Sequence, residues 1–244
     1  MITVLSSKSS AHNQKLIESK RKPRESNAAW LKRNFIGEPG QAHIVLVGGK
    51  SRIDFRLRTA QAHVRRDLLP SYWSHAMLLH SKGGKNLPQT VHEISLEPAK
   101  GFGFPTPENG LQEGRLQKYF DADAYPNIAL IALPLEYKEL IAPIKRFKFQ
   151  SSSLDALELI LHWLEFAWGV GKKGNPLFGG YGLPSTAMLE AVLGAAGFDL
   201  TPGLETRSSC PEAIWQAAKW WHKYYEAQNK AAPIGRFTAE HELN

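Results

Sequence analysis

One cysteine, Cys210, occurs in the 244 residues. That excludes an internal disulfide and every multi-thiolate metal site, and it fits a reducing compartment. No apolar run approaches the ~20 residues of a membrane-spanning helix. The opening Met1–Leu5 is too short for a secretion leader and leads straight into Ser and Lys. These absences predict a soluble cytoplasmic protein, unless a dedicated secretion system exports it. Acidic residues are also in deficit, 23 against 30 basic ones, for a net charge of +7. What is plentiful is core: 43% hydrophobic residues suffice for one large domain.

The excess charge is not spread evenly. Residues 1–36 carry Lys8, Lys15, Lys20, Arg21, Lys22, Arg24, Lys32 and Arg33 against Glu18 and Glu25, so +6 of the +7 sits there. Such a segment reads as a flexible basic tail able to meet an acidic partner. Nucleic-acid binding ranks below the other readings, because the remaining body is close to neutral. The turn cluster Gly37-Glu38-Pro39-Gly40 then opens the compact domain, taken as 37–230, and 231–244 reads as a C-terminal tail.

Within that domain strands are expected at Ala42–Val47, His75–His80, Val91–Leu96 and Asn127–Leu133, with Pro134 behind the last. The second and third form a hairpin. Short helices are expected at Ala28–Phe35, Thr59–Leu69 and Leu111–Phe120. From Ser151 the period changes: Leu154, Leu157, Leu161, Leu164 and Trp168 share one helical face, with Ser153 as cap and Gly169 as stop. Further helices are predicted from Ser185 to Ala196 and from Cys210 through Tyr225. Strands grouped before helices indicate an α+β domain.

Several apparent motifs fail on spacing. Gly49-Lys50-Ser51 imitates the end of a phosphate loop, but Ile44 stands where that loop needs a glycine. The glycine-rich stretch from Gly169 to Gly180 fits neither a phosphate loop nor a dinucleotide fingerprint, and reads as a loop beside an active site. His75 and His80 lie five apart, on opposite faces of a strand, and Glu240-His241-Glu242 lacks the second histidine of a zinc-protease helix. No metal site is therefore expected.

The chemistry that remains is nucleophilic. Cys210-Pro211 is a helix entry, since proline favours the first helical position. Free N–H groups and the positive helix end there stabilise a thiolate. A histidine must take its proton and a third group must orient the imidazole. His75 and Glu93, on adjacent antiparallel strands, supply both, and a one-residue slip in register would substitute His92 for Glu93.

These residues, read with Gly40-Gln41-Ala42-His43-Ile44-Val45-Leu46, Ser74–Leu79, Val91–Ile94, Gly110-Leu111 with Leu116 and Phe120, Asn127–Ile131 and Cys210–Trp215, resemble the permuted NlpC/P60 papain-like superfamily over roughly Pro39–Tyr225. Gln41 replaces the acidic residue that often follows the first glycine, and Pro211 replaces the small polar residue after the cysteine. The resemblance implies a small antiparallel barrel-like sheet, packed on a helical subdomain that carries the cysteine helix. It further implies a thiol hydrolase or acyltransferase that cleaves an amide, ester or thioester through an acyl-enzyme on Cys210, with His75 as base and Glu93 as orienter and no cofactor. Pro211 has no N–H for an oxyanion, so a side chain such as Tyr72 or Tyr181 is needed beside the Cys210 N–H. Expected substrates are a protein, a peptide or a lipid-linked acyl group. The alternative is a catalytically silent module that holds a partner through the basic tail and Trp163, Trp168, Trp215, Trp220 and Trp221.

Overall fold

A computed structural model describes residues 16–81, 86–97, 108–149, 155–169 and 174–243. The chain folds as α+β around one open sheet. Its strands are β1 (Leu16–Glu18), β2 (Gln41–Gly48), β3 (His75–Leu79), β4 (Thr90–Glu93), β5 (Gln112–Arg115), β6 (Asn127–Glu136) and β7 (Ile234–Ala239). The order across the sheet is β1-β7-β6-β2-β3-β4-β5. Among the described residues the strands do not close into the expected barrel-like sheet. All pairings are antiparallel except β1 with β7.

The sheet is a middle layer because its central strands are apolar on both sides. All eight residues of β2 are buried. One face packs Val45, Val47, Met77, Leu79, Val91, Ile128 and Leu130 against Trp30 and Leu31 of α1 (Asn27–Asn34). The other packs Ile44, Leu46, Ala76, Leu78, Ala129 and Ile131 against the main helical layer. That layer holds α3 (Ile141–Phe149), α4 (Ala156–Trp168), α5 (Pro184–Ala195), α6 (Pro211–Ala218) and α7 (Trp221–Glu226). The remaining helix, α2 (Arg52–Ala60), follows β2.

Both expected tails contribute to the sheet. Leu16–Glu18 pairs with β7, and β7 itself, drawn from the C-terminal segment, pairs with β6 from Asn127↔Ala239 to Ala132↔Ile234. Two basic side chains of the N-terminal segment are engaged locally. Arg33 makes a two-pronged bond to Glu25 at 2.8 and 2.7 Å, and Arg21 donates to Asn27 and to the Pro126 carbonyl. The Trp30 indole donates to the Ser19 carbonyl at 2.8 Å.

Other differences have local causes. The helix near residue 60 starts earlier, because Ser51 and Asp54 form a reciprocal capping box. Ser51 thus caps a helix instead of meeting a phosphate. The stretch 111–120 is β5 followed by a 3₁₀ turn, Leu116–Tyr119. Strand β6 runs through Pro134, beyond its last pairing with β7, where a missing N–H costs no ladder bond. Helix α4 is capped by Asp155, and Ser153 and Leu154 lie outside the described residues. It buries Ala156, Leu159, Ile160, Trp163 and Ala167, while Leu157, Leu161 and Trp168 of the expected face are exposed. Apolar residues surround this helix, so period alone does not choose its inner face. The Trp163 indole does, donating to the carbonyls of Tyr181 and Gly182 at 3.1 and 2.7 Å. The last predicted helix breaks at Trp220, and α7 turns inward so that the Trp221 indole reaches the Leu200 carbonyl.

Buried Glu190 on α5 accepts hydrogen bonds from Thr201 at 2.6 Å and Ser209 at 2.9 Å. Burial outweighs these bonds and pushes its carboxyl from 4.5 up to about 7. The unfolded chain therefore releases this proton before the native state does. Its stabilising contribution is complete below about pH 4.5 and is lost as pH rises to about 7. The expected loss is about 3 kcal/mol. Urea unfolding of Glu190→Gln should lack that part of the slope between the two pH values; parallel curves for both proteins would exclude Glu190 as its source.

Candidate functional site

His75 opens β3 and Glu93 closes β4. The register Leu78↔His92 sets Glu93 on the opposite face from His92, the side toward which His75 also points by two-residue alternation. There His75 Nε2 meets Glu93 Oε2 at 2.6 Å. The slipped alternative is excluded: His92 Nε2 bonds to the Tyr137 hydroxyl at 2.6 Å on the other face.

Glu93 is 3% exposed and its environment is built for an anion. Burial alone would raise its pKa. The hydrogen bond and charge of His75, the charge of Lys118 and the Tyr119 hydroxyl together hold it below the ordinary value. Tyr119 donates to the same oxygen at 2.5 Å, and burial beside that carboxylate keeps the phenol protonated, well above its usual pKa. Its ring stacks on His75 with centroids 5.9 Å apart. Gly114 of β5 makes room for the carboxylate, since a Cβ there would lie 2.3 Å from Glu93 Oε1. The basic segment supports this wall from behind. Arg21 donates to Asn27 Oδ1 at 2.6 Å, and Asn27 Nδ2 donates to the carbonyls of Tyr119 and Tyr125, both at 2.8 Å.

His75 lines a small open cleft of about 40 Å³. Ile53, Leu57, Ile94, Leu96 and Leu183 give it an apolar lining, and Asp54, Glu97, Lys118 and Tyr125 contribute polar groups. Lys118 bridges Ser95 Oγ at 3.2 Å and Glu97 at 3.3 Å. The first turn of α5 also lines it, with Pro184, Ser185 and Thr186. Ser185 Oγ donates to the Ala76 carbonyl at 2.5 Å and accepts from the Ile94 N–H at 3.3 Å. Those two residues directly follow His75 and Glu93. Thr186 Oγ1 is buried with no hydrogen-bond partner among the described residues.

Cys210 stands elsewhere. It is the N-cap of α6, as its sequence indicates, but it is 1% exposed and packs with Leu57, Ala60, Leu96, Trp163, Ala167 and Leu183. Three of these line the cleft, whereas Cys210 does not, so it lies behind the apolar wall. The entry to α5 runs in between. Gly182 N donates to the Arg207 carbonyl at 2.7 Å and Leu183 N to the Ser209 carbonyl at 2.9 Å. The approach is so close that a Cβ on Gly182 would lie 2.3 Å from the Ser209 oxygen. Burial reverses the effect expected of the helix start. Despite backbone N–H groups of Ala213 and Glu212, the thiol is pushed up to about 12. Among the described residues Cys210 makes no hydrogen bond to His75 or Glu93.

The two tyrosines considered for an oxyanion also lie outside the cleft lining. Tyr72 donates to Glu242 at 2.6 Å, and Tyr181 packs at a tilt against His162 and beneath Arg207. Of the five tryptophans, Trp163, Trp215 and Trp221 are core, and Trp168 and Trp220 are exposed. Tyr119, Gly114, Ser185 and Thr186 were not singled out from the sequence. The usable signal was Leu183-Pro184-Ser185-Thr186, a proline-marked helix entry of the same kind as Cys210-Pro211.

No helix among the described residues is long and apolar enough to cross a membrane. Comparison with protein-family models, with curated proteins and with solved structures finds no match to this chain.

Proposed function

We propose that the cleft is an acyl-transfer site, hydrolytic or group-transferring, for an amide, ester or thioester carbonyl. In this reading the arrangement is permuted papain-like, with a hydroxyl in place of the thiol. His75 is the base, Glu93 its orienter and Ser185 the nucleophile. The observation that carries it is the 2.6 Å His75–Glu93 contact beside a cleft that His75 and the N-terminal turn of α5, with Ser185, both line.

With Nε2 held by Glu93, Nδ1 of His75 is the nitrogen left for proton transfer. A χ1 rotation frees Ser185 Oγ from Ala76 and Ile94. As Oγ attacks the carbonyl carbon, its proton passes to Nδ1. The tetrahedral oxyanion meets the N–H groups of Ser185 and Thr186, which have no intrahelical partner at the start of α5. Collapse expels the leaving group, which takes the proton from His75. Water, deprotonated by His75, then attacks the acyl-enzyme, releasing the acid and restoring the serine; another acceptor in place of water gives transfer. Peptide, protein and lipid-linked acyl groups remain the substrate classes considered.

An acyl-enzyme on Cys210 would use the same base. It requires the thiol to leave its apolar cluster past Leu183, and a pKa near 12 opposes its ionisation. The second reading, a silent module that holds a partner through its basic segment and exposed Trp168 and Trp220, is favoured by the Ser185 hydroxyl being doubly hydrogen-bonded.

Turnover of activated esters and thioesters separates these readings. Ser185→Ala should lose at least about 10³-fold in rate while Cys210→Ala keeps it. Unchanged turnover in folded Ser185→Ala, or its loss in folded Cys210→Ala, would overturn the serine assignment. An inert wild-type protein would favour the binding module.

A further inference from the structure

On the sheet face opposite Glu93, β3, β4 and β5 bring together three groups that the acyl-transfer reading does not use. His92 is cross-strand from Leu78 on one side and Glu113 on the other, and His80 follows Leu78 by two residues. Alternation therefore puts His80, His92 and Glu113 on one face. One potential ligand atom from each lies within 4.8 Å of the other two.

Two further observations point to a ligand here. Nδ1 of His80 and Nδ1 of His92 are both buried without a hydrogen-bond partner among the described residues. An unpartnered buried ring nitrogen is unfavourable, and the two sit on rings stacked 4.8 Å apart. The second nitrogen of His92 is already engaged: Nε2 lies 2.6 Å from the Tyr137 hydroxyl, the rings being within 6° of parallel. If Nε2–H donates to the tyrosine oxygen, Nδ1 keeps its lone pair. This is how a metal-binding imidazole is normally oriented by its outer partner.

We propose that His80, His92 and Glu113 form a binding site for a borderline divalent transition ion of the zinc and cobalt class. Two neutral imidazoles and one carboxylate suit that class, and leave a fourth position for water or a ligand atom. Ligand atoms of a tetrahedral ion stand about 3.3 Å apart, so the set must close by roughly 1.5 Å. Glu113 allows this, because its side chain is half exposed on the edge strand β5. The competing cation is Lys148, whose Nζ is 3.7 Å from Glu113 but 2.9 Å from Glu108. Metal binding releases Lys148 from Glu113 and leaves its closer partner in place.

The test uses the full chain, stripped with chelator, then titrated with Zn²⁺ in equilibrium dialysis and with Co²⁺ by visible absorption. One ion per chain is expected, with a Co²⁺ spectrum of four-coordinate nitrogen and oxygen ligation. Glu113→Gln, at an exposed position, should weaken binding at least about 10-fold, and His80→Asn should abolish the stoichiometric site. Lys148→Met should tighten it, a gain that mere damage to the fold would not produce. No stoichiometric binding by the wild-type chain, or affinity unchanged in both Glu113→Gln and His80→Asn, would overturn the site.

Discussion

Arg58→Met should lower stability by about 3–5 kcal/mol, one of the largest single effects in this molecule. The guanidinium is fully buried and serves as a hub. Nε donates to the Ser71 carbonyl at 2.7 Å, Nη1 to the Gly49 carbonyl at 3.2 Å, and Nη2 to the His241 carbonyl at 2.7 Å. Nη1 also lies 2.9 Å from His241 Nδ1. One side chain thus ties α2 to the end of β2, to the loop entering β3 and to the chain after β7. Burial lowers its pKa to about 10, so it remains a cation at neutral pH. Methionine fills a similar volume but leaves three carbonyls without their donor, each worth about 1–3 kcal/mol. Thermal unfolding should shift down by about 10 °C, and Arg58→Lys should recover only part of it. A loss below about 1 kcal/mol would mean that water reaches those carbonyls in the folded protein.

The second large effect is chemical. His75→Ala should lower the turnover of an activated ester by about 10²–10⁴-fold, the range associated with a positioned general base. Glu93→Gln should cost about 10²-fold or more, because the amide removes the charge that stabilises the imidazolium. Tyr119→Phe separates orientation from charge: it leaves the carboxylate but removes one of its two side-chain donors, so a smaller loss is expected. Rates insensitive to all three substitutions, with folding intact by circular dichroism, would remove the base from this cleft.

His75 and Glu93 were legible in the sequence because both lie on short alternating strands whose pairing follows from hydrophobic pattern and loop length. The same pattern gave β2, β6, α5 and the entry to α6. The pieces it misplaced depend on tertiary contacts. Leu16–Glu18 and Ile234–Ala239 are too short and polar to announce themselves as strands, and become strands only beside each other and β6. The inner face of α4 is chosen by the Trp163 indole reaching two carbonyls from the segment before α5. Cys210 was read correctly as a helix cap but not as a buried one. Its distance from the cleft follows from the hydrogen-bonded crossing of residues 182–183 with 207–209, a pairing that no local signal reveals. The proposed His80–His92–Glu113 set has no local signal for a related reason. The sequence compared His75 with His80, two histidines on opposite faces of one strand, whereas the face is completed by β4 and β5.

Reaction of the intact protein with a fluorophosphonate and, separately, with iodoacetamide, followed by peptide mapping, tests the central assignment most directly. A serine nucleophile in the His75 cleft should place the phosphonyl group on Ser185 in wild type and not in His75→Ala. Cys210 should resist alkylation near neutral pH until the protein is unfolded, as a buried thiol with its pKa near 12 requires. Rapid alkylation of native Cys210 that depends on His75, with Ser185 unmodified, would contradict the assignment and return the chemistry to the thiol.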